Sequence, residues 1–309
     1  MAFFLSPRLV LTPLARTSRP AAVYRVFVSR YSTSTEDDVI KIQQIPAPGS
    51  GHVRVLQLNR PQARNAISRH LLETLSKNIK SIAAEEGNGP TRALVVASNI
   101  DSAFCSGADL KERAKMTQAQ TEDFLLNLRT AFKELSALQI PTISAISSMA
   151  LGGGLELALC THLRVFGSTS LVGLPETRLA IIPGAGGTYR LPALIGMNRA
   201  RDLILTGRRV SGPEAYFLGL CDRLVEILPE EGPQEGVARE RVLRESINLA
   251  LEICEGGPIA IKQALLAVEG SPLGELAENR AYEGVVETED RYEALRAFVE
   301  KRKPVFRGR

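Results

Sequence analysis

Three stretches hold the residue types that acid–base chemistry uses: "AFCSGADLKERAKM" (103–116), "MALGGGLELALC" (149–160) and "GLPETRLAIIPGAGGTYRL" (173–191). In the second, Glu156 is the only Asp, Glu, Lys or Arg between Glu134 and Arg164, and it follows Gly152, Gly153 and Gly154 closely. A buried carboxylate costs several kcal/mol unless it is paired or protonated. Either the chain loops out there to hydrate Glu156, or the protein keeps it in an apolar setting for chemistry. Glu176 comes just after Pro175 in the third stretch, ahead of a glycine cluster at Gly184, Gly186 and Gly187. In the first, a strand-like approach turns at Ser106–Gly107 into a charged segment with Asp109, Lys111, Glu112, Arg113 and Lys115.

Each stretch also has a purely structural reading. Glycines at strand-to-helix turns supply permissive dihedrals, Arg178 can pair with Glu176 at a surface, and the charged segment can be a solvated helix face. Other chemistries lack their residues. The three histidines (His52, His70, His162) have no metal-ligand spacing, and the four cysteines (Cys105, Cys160, Cys221, Cys254) include no C-x-x-C pair. No metal is expected, and histidine-dependent nucleophilic catalysis and zinc hydrolysis are poorly supported. In "GAGGTY", Tyr189 stands where a dinucleotide fingerprint needs its third glycine, and no G-x-x-x-x-G-K-[ST] loop occurs. Acid–base work falls to carboxylates.

The elements that must position these residues begin after an unusual leader. Residues 1–35 hold five arginines (Arg8, Arg16, Arg19, Arg25, Arg30) and no Lys, Asp or Glu, the composition of a mitochondrial transit peptide. A mitochondrial matrix location follows, and widely spaced cysteines fit a reducing compartment. The whole chain carries +4, so removing the leader's +5 leaves the body at −1. That near-neutral body undercuts a general electrostatic case for nucleic acid. No apolar run approaches the length of a membrane-spanning helix.

Past the leader, "HVRVLQLNRP" predicts a strand ending at Asn59–Pro61, and Ile67, Leu71, Leu75, Ile79 and Ile82 recur at helical spacing from Ala66 to Glu86. "RALVVAS" (92–98), "TISAIS" (142–147) and "LRVFG" (163–167) predict short buried strands, with a glycine turn and a short helix carrying Glu156 between the last two. Helical patterns dominate the C-terminal third, at 198–207, 211–220, 237–254, 257–270 and 288–302, with an exposed loop at 227–238. The order is strands alternating with helices, then mostly helices: an α/β protein.

Together the motifs resemble one family. "NRPQARNAIS", "FCSGADLKE", "ISAISSMALGGGLELA", "GLPETRLAIIPGAGGTYRLPALIG" and the terminal "AFVEKRKPVFRG" match, in order and spacing, the enoyl-CoA hydratase/isomerase (crotonase) superfamily over residues 40–309. "GADLKERAKM" and "ETRLAIIPGAGGT" look most like its mitochondrial methylglutaconyl-CoA hydratases, a subgroup with an AU-rich-RNA-binding member. Two departures stand out: Ser147–Ser148, where the family usually has Asn or Asp and then Gly, and Ala294 in place of a glycine.

The resemblance implies a spiral of repeated ββα units over 36–245 and a helical region over 246–309 that builds trimers, commonly paired into hexamers. It implies an acyl-CoA substrate, with coenzyme A part of that substrate and no separate cofactor. The family's oxyanion hole falls on the backbone N–H groups of Ala108 and Gly153, where a side chain on Gly153 would obstruct close approach. Its catalytic pair falls on Glu156, to orient and activate water, and Glu176, to protonate Cα. Its acyl-CoA-binding segment falls on Ala108, Asp109, Leu110 and Lys111, together with Gly153. Such preorganised donors contribute about 3–4 kcal/mol each to the transition state. The expected reaction is hydration of 3-methylglutaconyl-CoA to 3-hydroxy-3-methylglutaryl-CoA in leucine degradation. For the substrate's distal carboxylate, Lys111, Arg113, Lys115 and a residue from a neighbouring subunit are all candidates. The alternatives are a general short-chain enoyl-CoA hydratase or an enoyl-CoA isomerase, and, from another class, an RNA-binding protein. For the last, Arg92, Lys111, Arg113 and Lys115 are basic, but aromatic residues beyond Phe104 are missing from their segment.

Overall fold

The computed structural model describes residues 38–309; the transit-peptide reading of 1–35 lies outside them. The chain starts with a hairpin, β1 (Ile40–Pro46) antiparallel to β2 (His52–Leu58). Next come α1 (Arg69–Ala83), β3 (Thr91–Ser98), the short α2 (Leu110–Arg113) and the long α3 (Gln118–Ser136). After them are β4 (Thr142–Ile146), β5 (Met149–Leu151), α4 (Gly153–Ala158), β6 (Leu163–Gly167) and β7 (Leu171–Gly173). Two helices, α5 (Gly187–Ile195) and α6 (Met197–Thr206), lead to β8 (Arg209–Ser211), α7 (Gly212–Leu218) and β9 (Arg223–Val225). Four helices finish the chain: α8 (Val237–Ile253), α9 (Pro258–Glu269), α10 (Glu275–Val286) and α11 (Glu289–Val299).

These strands form two layers. The large sheet has the order β1-β2-β3-β4-β6-β9, parallel from β2 onward, and the small one has β5-β7-β8. The small layer continues through single bridges, Ile67 with Ala108 and Cys105 with Ala150. The passes β2, β3, β4 and β6 through the large sheet are therefore each followed by a short extended segment in the second layer. This is the ββα spiral implied by the family resemblance.

Parallel strands buried on both faces read as continuous apolar runs. Leu94 and Val96 of β3 join Leu56, Ile146, Phe166 and the buried faces of α1 and α3, while Val95 on the opposite face joins Val55, Ile143 and Val165. That opposite face is covered by α8, through Val242, Ile247, Ala250 and Leu251. Helix α8 thus runs through the boundary expected at residue 245, and sheet packing continues to Cys254. Beyond it the helices bury little: α9 has no buried residue and α10 only Ala281. Among the described helices, none is long and apolar enough to cross a membrane.

Candidate active site

The second-layer crossings bring the glycine turns together. Ile67 N–H donates to the Gly107 carbonyl (2.8 Å) and Asp109 N–H to the Ile67 carbonyl (3.1 Å), so the N–H between them, on Ala108, is not used in the crossing. Gly107 has φ +95°, and a Cβ there would lie 2.8 Å from the Leu151 carbonyl oxygen. Across the turn, Gly153 is the first residue of α4, where backbone N–H groups lack intrahelical partners. A Cβ built on Gly153 would sit 3.7 Å from the Ala108 nitrogen. The two donors expected from the resemblance are neighbours.

The three consecutive glycines have three separate reasons. Gly152 has φ +53°, and a Cβ on it would crowd Glu176 Oε1 at 2.9 Å. A Cβ on Gly154 would lie 2.1 Å from the Cys105 carbonyl oxygen, which is impossible without moving backbone. Gly153 itself has room, its nearest contact being Ile67 Cδ1 at 3.5 Å. A side chain there would therefore obstruct a ligand rather than the fold.

Glu156 is 3% exposed, so the chain does not loop out to hydrate it. Both Ala185 N–H and Gly187 N–H donate to its Oε1 at 2.8 Å, leaving Oε2 outside these bonds. Burial raises its pKa; the two N–H donors, and Arg190 and Arg129 at longer range, work against the rise. Arg190 holds this loop from behind, donating to the Ala185 carbonyl (3.0 Å) and to Ser136 Oγ (3.3 Å). Glu176 opens a 3₁₀ turn (Glu176–Leu179), and its buried Oε2 has no hydrogen-bond partner. Burial pushes its pKa up to about 7, its own backbone N–H opposes this, and the charge of Glu156 adds to the rise. Arg178 is not its partner: it donates to the Thr206 carbonyl at 2.9 Å. Both glutamates, Ala108 and Gly153 line one cavity of about 470 Å³, with walls including Leu125, Leu128 and Ile182.

The model of the enoyl-CoA hydratase/isomerase family matches residues 49–309. The chain belongs to this family. It is 54% identical to methylglutaconyl-CoA hydratase 1, mitochondrial, of Pyricularia oryzae, over 98% of this chain and 97% of that one. It is 60% identical to an enoyl-CoA isomerase/hydratase of Zymoseptoria tritici, over 92% and 93% respectively. The crystal structure of an enoyl-CoA hydratase from Bacillus anthracis superposes with a TM-score of 0.79 at 39% identity, covering 88% of this chain and all of that one.

The segment that resembles the family's acyl-CoA-binding residues is divided between two spaces. A wide groove of about 910 Å³ adjoins the cavity across Ser106, Ala108 and Leu110, and is lined by Arg60, Arg64, Asp109, Lys111 and Lys115. Asp109 caps α2, accepting from Glu112 N–H (3.2 Å), and pairs with Arg60 (3.2 Å), so its carboxylate shapes the groove. Of the basic residues singled out in the sequence, Arg113 alone lines the cavity. Sequence reasoning missed Arg129, Arg190 and the N–H groups of Ala185 and Gly187. The glycine cluster at 184–187 was visible as a signal, but nothing in its spacing tied it to Glu156. Ser147 and Ser148 have no left-handed backbone, so replacing the usual glycine adds no strain. Burial pushes all four cysteine thiols up to about 12, which removes them as nucleophiles near neutral pH.

Proposed function

We propose that this site adds water to (E)-3-methylglutaconyl-CoA, giving 3-hydroxy-3-methylglutaryl-CoA in leucine degradation inside mitochondria. The observation that carries the reaction type is the pairing of Glu156 and Glu176 in one cavity with two backbone donors. The thioester oxygen sits between Ala108 N–H and Gly153 N–H, which stabilise the charge it gains as the enolate develops. Gly153 at the start of α4 adds the positive end of the helix dipole. Glu156, held through Oε1, offers Oε2 to a water and takes its proton as the C–O bond forms at C3. Glu176, protonated in its apolar setting, gives its proton to C2, and proton exchange between the two resets the pair. Coenzyme A lies along the groove, its phosphates facing Arg60, Arg64, Lys111 and Lys115.

The named relative from Pyricularia supports the substrate and the compartment. The Zymoseptoria relative, named as both isomerase and hydratase, supports a second reading, double-bond isomerisation with one carboxylate shuttling the proton. RNA binding has weaker support: Arg92 is engaged with Ser50 and the Arg307 carbonyl, and Arg113 lines the cavity. The deciding experiment assays purified protein against methylglutaconyl-CoA, crotonyl-CoA and a 3-enoyl-CoA. The expected kcat/KM for methylglutaconyl-CoA exceeds that for crotonyl-CoA by at least about tenfold, which takes ~1.4 kcal/mol of differential transition-state binding. Equal or reversed preference returns the protein to general enoyl-CoA hydration, and faster turnover of the 3-enoyl-CoA makes it an isomerase.

A further inference from the structure

We infer that Arg113 and Arg129 form a carboxylate-binding subsite within the catalytic cavity, selecting acyl groups that end in a second carboxylate. The inference rests on reading the cavity as the seat of an acyl thioester, and it deepens the proposed substrate. Among the described residues that line the cavity, charge is confined to Arg113, Arg129, Glu156 and Glu176. The two glutamates are buried and committed to the reacting atoms. Neither arginine has an ion-pair partner among the described residues. Arg129 spends its Nε on the Gly184 carbonyl at 2.7 Å, which ties α3 to the loop holding Glu156 and leaves its terminal amino groups uncommitted. The Arg113 guanidinium makes no hydrogen bond among the described residues.

Much of the remaining wall is aliphatic, with Leu128 buried and Leu125 half-buried at its base and Leu179 and Ile182 exposed at its rim. A carboxylate against such a wall gives up part of its water and needs charged donors in exchange, and a guanidinium supplies them in a planar fork. A plain alkyl chain would satisfy the aliphatic wall and use neither arginine. The structure also sorts the cations that the sequence left as equal candidates. Lys111 and Lys115 line the outer groove, where coenzyme A phosphates need them, whereas half-buried Arg113 and exposed Arg129 line the cavity that holds the two glutamates. The competing role for Arg129 is to bias Glu156 toward its ionised form, since its charge acts in that direction.

Competitive inhibition by a matched pair, glutaryl-CoA and valeryl-CoA, separates these roles, because the two differ in a terminal carboxylate against a methyl. Wild-type protein should bind glutaryl-CoA at least about tenfold more tightly. Arg113→Gln and Arg129→Gln should each cut that preference by about tenfold, the worth of a charge-assisted hydrogen bond to a carboxylate. Arg129→Lys should restore part of it. No preference in the wild type, an unchanged preference in both variants, or equal weakening of both ligands would overturn the subsite. A wild type that prefers glutaryl-CoA but hydrates crotonyl-CoA as well as methylglutaconyl-CoA leaves the subsite standing and sinks the proposed substrate alone.

Discussion

Glu156 and Glu176 carry the same functional group in unlike surroundings, and that difference supports the roles proposed for them. Glu156 receives two N–H donors on one oxygen, and they oppose the rise in pKa that its burial causes. Glu176 has a buried oxygen with no donor, and burial lifts it to about 7, the form that gives a proton away. Either Glu→Gln substitution should lower hydration kcat by about 10²–10⁴, the usual value of a lost acid–base group; near wild-type turnover would contradict the pair. Wild-type hydration should fall as pH rises through about 7, where Glu176 loses its proton. The same shift has a stability consequence. The folded value lies above the ordinary 4.5, so the folded state holds the proton more tightly, and its contribution is complete below 4.5 and lost as pH rises through about 7. Glu176→Gln should therefore be more stable than wild type at pH 8, by up to about 3 kcal/mol, and not at pH 4. Urea titrations at the two pH values check this, and an equal difference at both would refute it.

At the scale of elements, the site is made by turns between short strands and short helices. Gly153 and Gly154 are adjacent in sequence and opposite in consequence. Gly154→Ala forces a methyl onto the Cys105 carbonyl and should cost at least about 1–3 kcal/mol, the range of overpacked cores. Gly153→Ala finds ordinary contacts and should fold with near wild-type stability, yet lose activity because its methyl stands beside both oxyanion donors. Denaturation midpoints and kcat/KM measured on both variants separate the two effects; an active Gly153→Ala would place the oxyanion elsewhere. The short helix carrying Glu156 was legible from its glycines and apolar run. The elements left unassigned include β1, the short strands β5 and β7 to β9, α5, α10 and the long α3, although Phe124, Leu128, Phe132 and Leu135 of α3 have helical spacing. Overlooking α3 hid Arg129, because a charged residue on an unassigned helix has no face to belong to.

The whole molecule has one well-buried half and one that is not. Helices α9–α11 and the turn between α9 and α10 expose Leu273, Leu276, Tyr282, Leu295 and, most of all, Phe298 (84%) and Val299 (80%). Large apolar side chains exposed to this degree point to an interaction face, and they lie in the region that resembles the family's trimer-building helices. A homotrimer or homohexamer should therefore appear in light scattering of the mature protein. The Phe298→Glu, Val299→Glu variant should fall to smaller species while keeping its helical content. A wild type with single-chain mass, or a variant of undiminished mass, would leave this surface without that role.

Read alone, the sequence determined the alternation of strands with helices followed by mostly helices and, through long motifs in register, the family. It also marked Glu156, because one carboxylate in an apolar run costs too much to be incidental. These are properties of local composition and spacing, visible along the chain. Only the tertiary structure decided that Ala108 and Gly153 are neighbours, that Ala185 and Gly187 hold Glu156, and that Arg113 lines the cavity while Lys111 and Lys115 line the groove. Each of those facts joins segments brought together by the second layer of the spiral. A hydrogen bond between residues 29 or 31 positions apart leaves no periodicity for the sequence to display.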